Sequence, residues 1–391
     1  MDGLLPVSAA CIAAAVLALW RILLSKKPSV VSRDAEAVFD APEKKNPYDT
    51  ITALPNFDWA STPPIRIRAF KPKYHMTMAL ERFDLSELIE VDNTFRDRMR
   101  LRRSLLDRHP EGTRQCNKVA DSAVLELHDW MASTYLPKRF PTIFELAATP
   151  DGPTLYNKVS GSQMSIRQSS PIAALDALGE HVDTDFLILL PGSEAADGSP
   201  IYHLEAFVTC FPSGFSTREK CGKPLAAIHA PVPGYASKLE KSMDRFFAKL
   251  ECGKAVKRSN WSITTNDQLY SEGGNHMYAD EKQETPVENA KTLDVSSPRL
   301  EEDIKRQRKE VMVDDCRLRC ERQTLHRLPK TKALVFAFKT YLYKLSEIKE
   351  EGLGEELAQA IDGLGQGNVP AIKFYKRGVV WGDKVKEYLR S

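Results

Sequence analysis

The sequence predicts an α+β protein behind a single transmembrane helix, and three patterns support that prediction. Apolar residues recur at helical spacing between about 92 and 136, short β-like runs separated by Gly, Pro and Asp follow Pro141, and an apolar stretch covers residues 4–24. A 3.6-residue period is typical of helices, and short runs bounded by turn residues are typical of strands. An N-terminal helical part followed by an antiparallel sheet is therefore expected.

The apolar stretch at residues 4–24 is long enough to span a bilayer. No positive charge precedes it, whereas Arg21, Lys26 and Lys27 lie at its far end. The positive-inside rule then places the rest of the chain in the cytosol. We predict a single-pass anchor, with the endoplasmic reticulum as the membrane. A cleaved signal peptide and a buried helix are the alternatives.

Composition divides the remaining chain into four parts. Residues 25–73 are rich in proline and charge without a period, which indicates a juxtamembrane linker. A helical region at 74–150 precedes a core at 151–345, which carries a polar insertion at about 268–310, and a tail at 346–391. The insertion has too few apolar residues to offset the entropy of ordering, so we expect it to be mobile.

Two elements of the helical region and the core have sharp signatures. A helix beginning near Asp92 has an apolar stripe, and its arginines, Arg102 among them, are expected to form a solvated face. A docking surface for an acidic partner or a membrane is the alternative. Residues 316–325 and 334–341 are expected to form an antiparallel hairpin. Because the second of these strands is strongly apolar, at least one of Glu321 and Arg322 should be substantially buried.

Composition and motifs exclude several classes of protein. Lys plus Arg number 55 against 53 Asp plus Glu, a net charge of +2, so no binding to nucleic acid is predicted. Seven cysteines without a CxxC pair indicate a reducing compartment and neither a disulfide framework nor a zinc ribbon. The sequence lacks the HExxH, GxSxG, GxGxxG and P-loop motifs.

Polar residues set in apolar surroundings are the remaining candidates for a site. His229 lies in the run LAAIHAPVPG, where two prolines fix the following backbone. A neutral imidazole held in an apolar wall suits axial ligation of iron, and a core histidine satisfied by two hydrogen bonds is the alternative. Strand alternation places Glu321 and Gln323 on one face and Arg322 and His326 on the other. Polar groups turned inward need a partner or a ligand.

Three strings, LAAIHAPVPG, RSNW and CERQTLHRLPKTKALVFAFKTY, resemble the haem-dependent oxidative N-demethylase alpha-subunit family over residues 74–345. The resemblance implies a PAS-like fold that binds haem b and removes a methyl group from a small amine with dioxygen, releasing formaldehyde. It also implies that an external flavin and iron–sulfur reductase supplies the electrons, because this chain has no reductase motif. The anchor, the insertion and the tail lie outside the matched region.

The resemblance also implies site residues. His229, inside a matched string, is the candidate metal ligand, with His326 as the second choice. Arg258 and Asn260 are candidates for binding the cofactor, and Glu321, Arg322 and Gln323 are candidates for catalysis. Their division among propionate, distal-pocket and ion-pair roles stays open. A haem-based PAS-like sensor or binding module and a membrane-tethered scaffold without haem are the competing functions.

Overall fold

The structure, a computed structural model, describes residues 46–150, 152–277 and 298–391. Its centre is a seven-stranded antiparallel sheet with the order β1-β8-β9-β10-β6-β7-β2, and a separate sheet has the order β3-β4-β5. The strands are β1 Glu81–Phe83, β2 Arg114–Cys116, β3 Phe144–Thr149, β4 Gly152–Asn157, β5 Ser162–Ser165, β6 Asp185–Glu194, β7 Pro200–Val208, β8 Ala255–Thr264, β9 Arg317–Arg327 and β10 Leu334–Lys344.

Helices cover the sheet and join its strands. In chain order they are α1 Phe95–Arg108, α2 Pro110–Thr113, α3 Asp121–Trp130, α4 Leu136–Arg139, α5 Pro171–His181, α6 Thr217–Lys220, α7 Leu225–His229, α8 Tyr235–Lys238, α9 Glu240–Lys249, α10 Pro298–Glu310, α11 Leu345–Glu350, α12 Gly354–Gly363, α13 Ile372–Tyr375 and α14 Gly378–Arg390. The prediction of an α+β fold with an antiparallel sheet is confirmed.

The predicted hairpin forms and continues beyond its predicted ends. Strands β9 and β10 pair from Arg327 opposite Leu334 to Arg317 opposite Lys344. On the other side of β9, strand β8 pairs in register, with Asn260 opposite Glu321. Alternate side chains of a strand lie on opposite faces, so this register gathers polar residues of β8 and β9 on one face of the sheet.

The prediction of a transmembrane helix, and with it the single-pass membrane localisation, is corrected. A helix needs about 20 apolar residues to cross the hydrocarbon core of a bilayer. Among the described residues no helix is both long and apolar enough, and the longest, α1, has 14 residues and many charges. Residues 4–24 lie outside the described part of the chain.

Helix α1 corrects a second expectation. Arg102 is not solvated: its side chain is 0% exposed. It donates to Asp185 Oδ1 at 2.6 Å, to the Gly179 carbonyl at 2.7 Å and to the Thr184 carbonyl at 3.0 Å. A guanidinium can be buried when its donors and its charge are all matched, and here the end of α5 and the start of β6 supply the matching groups.

Arg322 and His326 lie on the face of β9 opposite to Glu321. Arg322, 7% exposed, donates to the Leu88 carbonyl at 3.1 Å and lies 3.4 Å from Glu90. This confirms that at least one residue of the Glu321 and Arg322 pair is buried. His326, 2% exposed, lies 2.9 Å from the Tyr48 hydroxyl, which donates to the Arg327 carbonyl.

The structure describes the whole of the predicted tail but only part of the predicted insertion. Trp381, in α14, is fully buried and belongs to an apolar cluster together with Tyr341 of β10. Residues 278–297 of the insertion lie outside the described residues, whereas Ile304 in α10 is buried. The proposed domain boundaries stay predictions.

His326 is expected to make stability depend on pH. Burial lowers its pKa to about 3, against about 6.5 for an unperturbed histidine. Between pH 6.5 and 3, residue 326 binds a proton in the unfolded state but not in the folded state. The contribution of neutral His326 to stability is therefore complete above pH 6.5 and declines as the pH falls toward 3. Between pH 6 and 4, the free energy of unfolding measured with urea should fall more steeply for the unmodified chain than for His326→Gln, by about 1.4 kcal/mol per pH unit. Equal slopes would contradict this.

Candidate functional site

A cavity of about 310 Å³ lies between one face of the large sheet and the segments that cover it. Strands β6 to β10 form its floor. Its walls come from helices α7 to α9 and from residues 74–80, 213–220, 276 and 372–376. Most of its surface is apolar, from Leu80, Leu187, Leu189, Leu204, Leu225, Ile228, Val232, Leu239, Met243, Phe247, Val256, Leu325, Phe336 and Phe338. Such a cavity suits a ligand with a large apolar body.

The part of the cavity near the middle of β8 and β9 is polar and cationic. Arg258 and Arg319 contribute guanidinium groups, and Ser262 lies opposite Arg319 in the strand register. Among the described residues, Arg258 Nε, Arg319 Nε and Ser262 Oγ are buried and have no hydrogen-bond partner. Buried donors without acceptors are costly, so this end of the cavity is built to receive an anionic group.

Arg319 is held in place despite its free Nε. Its terminal nitrogens donate to the carbonyls of Phe211 at 2.9 Å and of Gln268 and Leu269 at 3.1 Å. None of these acceptors is charged, and burial lowers the pKa of Arg319 to about 10. Its positive charge therefore has only partial compensation from the protein.

His229, at the end of α7, presents a neutral imidazole to the cavity. Its Nδ1 donates to the Leu225 carbonyl at 2.9 Å, one helical turn earlier, and its ring stacks on Tyr235 with centroids 4.6 Å apart. Burial and, to a smaller extent, the nearby charges of Lys220 and Arg258 lower the pKa of His229 to about 4. The ring is half-buried because it faces the cavity. No hydrogen bond from a described residue reaches Nε2, so this nitrogen is available as a ligand.

Glu321 is the only carboxylate among the described residues that line the cavity. Its Oε2 accepts a hydrogen bond from Gln323 Nε2 at 2.8 Å. In the described part of the chain no cationic side chain comes within ion-pair distance of Glu321. A carboxylate so placed can pair with a cationic ligand group.

The cavity brings together five of the seven residues predicted from sequence: His229, Arg258, Asn260, Glu321 and Gln323. Arg322 and His326 do not line it, because strand alternation turns them to the opposite face, where they bond to other groups of the protein. The roles of all seven residues stay predictions.

The sequence analysis did not predict several other polar residues of the cavity, among them Arg319, Lys376, Tyr375 and His276. The alternation that selected Glu321 and Gln323 would have found Arg319, two residues earlier on the same strand. Burial lowers the pKa of His276 to about 3, and its ring stacks on Tyr375 with centroids 4.4 Å apart. His276 also borders a neighbouring groove of about 490 Å³. No sequence pattern marks it.

The antiparallel α+β fold encloses an apolar cavity. A neutral imidazole lies in the wall of this cavity, and cationic groups lie at one end. These features define a protein that binds a small molecule or cofactor in a cavity between its sheet and its helices. The family model described as haem-dependent oxidative N-demethylase, alpha subunit-like, matches residues 79–386. The chain belongs to this family, which confirms the resemblance found in the sequence.

The match also corrects the extent of that resemblance. It spans the polar insertion and continues beyond residue 345, so it takes in most of the predicted tail. This agrees with the structure, in which Ile372, Tyr375 and Lys376 of the tail line the cavity.

Proposed function

We propose that this protein catalyses the haem-dependent oxidative N-demethylation of a small amine, with release of formaldehyde. The observation that carries the proposal is the cavity, which combines an available imidazole nitrogen, apolar walls and unpartnered cationic donors. Family membership supports the use of haem. Haem b as the cofactor type, dioxygen as the oxidant and an external flavin and iron–sulfur reductase as the electron donor are parts of the same proposal.

The residues of the cavity fit haem. His229 would be the metal ligand, because its Nδ1 hydrogen bond to Leu225 fixes the ring and its low pKa keeps Nε2 free of a proton. The two propionate groups of haem would occupy the cationic end. There, Arg258 Nε, Arg319 Nε and Ser262 Oγ are the buried groups without partners, and Asn260 lies between Arg258 and Ser262 on the same strand.

Bound haem supplies the activation of dioxygen and the oxidation of the N-methyl group, which leaves as formaldehyde. The protein's own residues exclude water and orient the substrate. Leucine and phenylalanine side chains form the apolar walls, which disfavour the entry of bulk water. Glu321, held by Gln323, would pair with the ammonium group of the amine and so fix its position in the cavity.

Titration of the full chain with haem tests the proposal. We expect a Soret absorption band that saturates at one haem per chain, and formaldehyde release when a reductase, dioxygen and an N-methylated amine are added. The absence of a haem spectrum would reject the proposal. A haem spectrum without formaldehyde from a panel of N-methylated amines would reject the demethylase activity and favour the haem-based sensor.

Glu321→Gln is expected to reduce turnover much more than stability. Glu321 forms no close ion pair in the described part of the chain, and its charge acts on Arg258, Arg319 and Lys376 only over longer distances. Its loss should therefore change the free energy of unfolding by less than about 1 kcal/mol. A hydrogen bond to a charged group contributes about 1.5–3 kcal/mol, so formaldehyde release per haem should fall roughly tenfold to a hundredfold.

The matched control for Glu321→Gln is Glu145→Gln. The side chain of Glu145 is 61% exposed and lies outside the cavity, so neither unfolding nor turnover should change. If Glu321→Gln destabilised the chain equally with and without haem, and turnover per folded molecule stayed the same, Glu321 would be a structural residue only.

A further inference from the structure

Lys376 is a buried amine in the wall of the cavity, and no carboxylate of the described residues forms a close ion pair with it. It follows α13 and is 5% exposed. Its Nζ donates to Asn260 Oδ1 at 3.2 Å and to the Trp261 carbonyl, and both acceptors are neutral. No acidic side chain of the described residues lies within ion-pair distance. Lys339 differs: it is equally buried but lies 2.6 Å from Asp92 and 3.1 Å from Asp183.

The groups around Lys376 enlarge the fraction of its neutral form. Burial and, to a smaller extent, the charge of Arg258 lower its pKa to about 8, although Glu321 and Cys320 act in the opposite direction. The rings of Tyr74 and Trp261 lie 5.5 and 5.3 Å from Nζ, where cation–π attraction partly offsets the effect of burial, and His276 is kept neutral by burial. A lysine desolvated beside another cation is an activated nucleophile.

We propose that Lys376 Nζ is a nucleophile that captures small aldehydes in this cavity as an imine. The Nζ lone pair attacks the carbonyl carbon and forms a C–N bond, and a proton passes from nitrogen to the former carbonyl oxygen. Loss of that oxygen as water, with the second proton of the amine, leaves a C=N bond. One amine and one aldehyde give one imine and one water, and nothing is oxidised or reduced.

The choice of aldehyde rests on the proposed function, because formaldehyde is the product that this cavity would generate. Capture on Lys376 would hold formaldehyde at its point of release. The reactivity of Lys376 itself follows from its burial, its neutral partners and its place in the cavity wall. It can therefore be tested without any turnover.

Reductive methylation of the full chain provides the test. The chain is treated with ¹³C-formaldehyde and cyanoborohydride at limiting concentration, and methylation at each lysine is followed by peptide mass spectrometry. Lys118, whose side chain is 95% exposed and lies 2.6 Å from Asp121, is the reference for an exposed amine, and Lys339 is the reference for a buried lysine held charged by carboxylates. At pH 7 we expect Lys376 to be methylated at least tenfold faster than Lys118, and Lys339 to remain unmodified. The ratio of Lys376 to Lys118 should fall as the pH rises from 7 to 9, because more of the exposed amine then loses its proton.

Methylation of Lys376 no faster than that of Lys118 at pH 7, or a ratio that does not change with pH, would overturn the inference. Lys376→Met should abolish the rapid phase of labelling, and persistence of that phase would also overturn it. If this variant does not fold, the methylation rates of the individual lysines in the unmodified chain decide whether the inference holds. A chain that lacks haem or releases no formaldehyde could still label at Lys376, so failure of the proposed function and failure of this inference are distinguishable.

Discussion

His229→Ala is expected to abolish the Soret spectrum of the haem complex, or to weaken haem binding by roughly a hundredfold or more. Loss of a group that merely supports a metal ligand costs about 10–100-fold in metal affinity, so loss of the ligand itself should cost at least as much. The fold should persist, because the His229 ring faces the cavity and its Nδ1 bonds only to the Leu225 carbonyl of its own helix. Haem titration monitored by absorption, with far-UV circular dichroism for the fold, measures both effects.

Two other histidines provide the controls for His229→Ala. His276 lines the same cavity, and His326 lies on the opposite face of the sheet. His276→Phe should keep the ligand-dependent spectrum, and added imidazole should restore it in His229→Ala by occupying the vacated space. If His229→Ala kept an unchanged spectrum and His276→Phe or His326→Ala lost it, the ligand would be that histidine instead.

Strand periodicity explains which site residues could be predicted from the sequence. Once the hairpin of β9 and β10 is recognised, the two-residue period fixes the faces, and it places Glu321 and Gln323 toward the cavity and Arg322 away from it. His229 is found by its apolar surroundings. These signals are local, so they depend on few neighbouring residues.

The residues that could not be predicted depend on contacts between distant parts of the chain. Lys376 belongs to the cavity because its amine reaches Asn260 on β8, 116 positions earlier in the chain. His276 lies in a polar segment without a period and is half-buried, with its ring stacked on Tyr375. Arg102 looks like one more arginine on a charged helix, and only the position of Asp185, 83 residues away, explains its burial. Composition and periodicity contain no information about such pairings.

The pair of Arg102 and Asp185 also connects helix α1 to the cavity. Asp185 accepts hydrogen bonds from the backbone amides of Cys210 and Phe211, both at 2.8 Å. The Phe211 carbonyl in turn accepts a hydrogen bond from Arg319 at 2.9 Å. The buried ion pair thus fixes Cys210 and Phe211, and the Phe211 carbonyl in turn positions Arg319 at the cationic end of the cavity.

Arg102→Met is therefore expected to destabilise the protein severely. It removes three hydrogen bonds and leaves Asp185 as a buried charge, 1% exposed, without its cationic partner. Breaking a buried ion pair in this way costs about 3–5 kcal/mol, a large part of the stability of a typical domain. The midpoint of urea unfolding should fall accordingly.

Arg100→Met on the same helix is the matched control. Arg100 and its partner Asp97 are 71% and 84% exposed, so the loss of Arg100 should cost less than about 0.5 kcal/mol. Equal effects of the two variants would mean that the charge of α1, and not the burial of the Arg102 pair, determines stability.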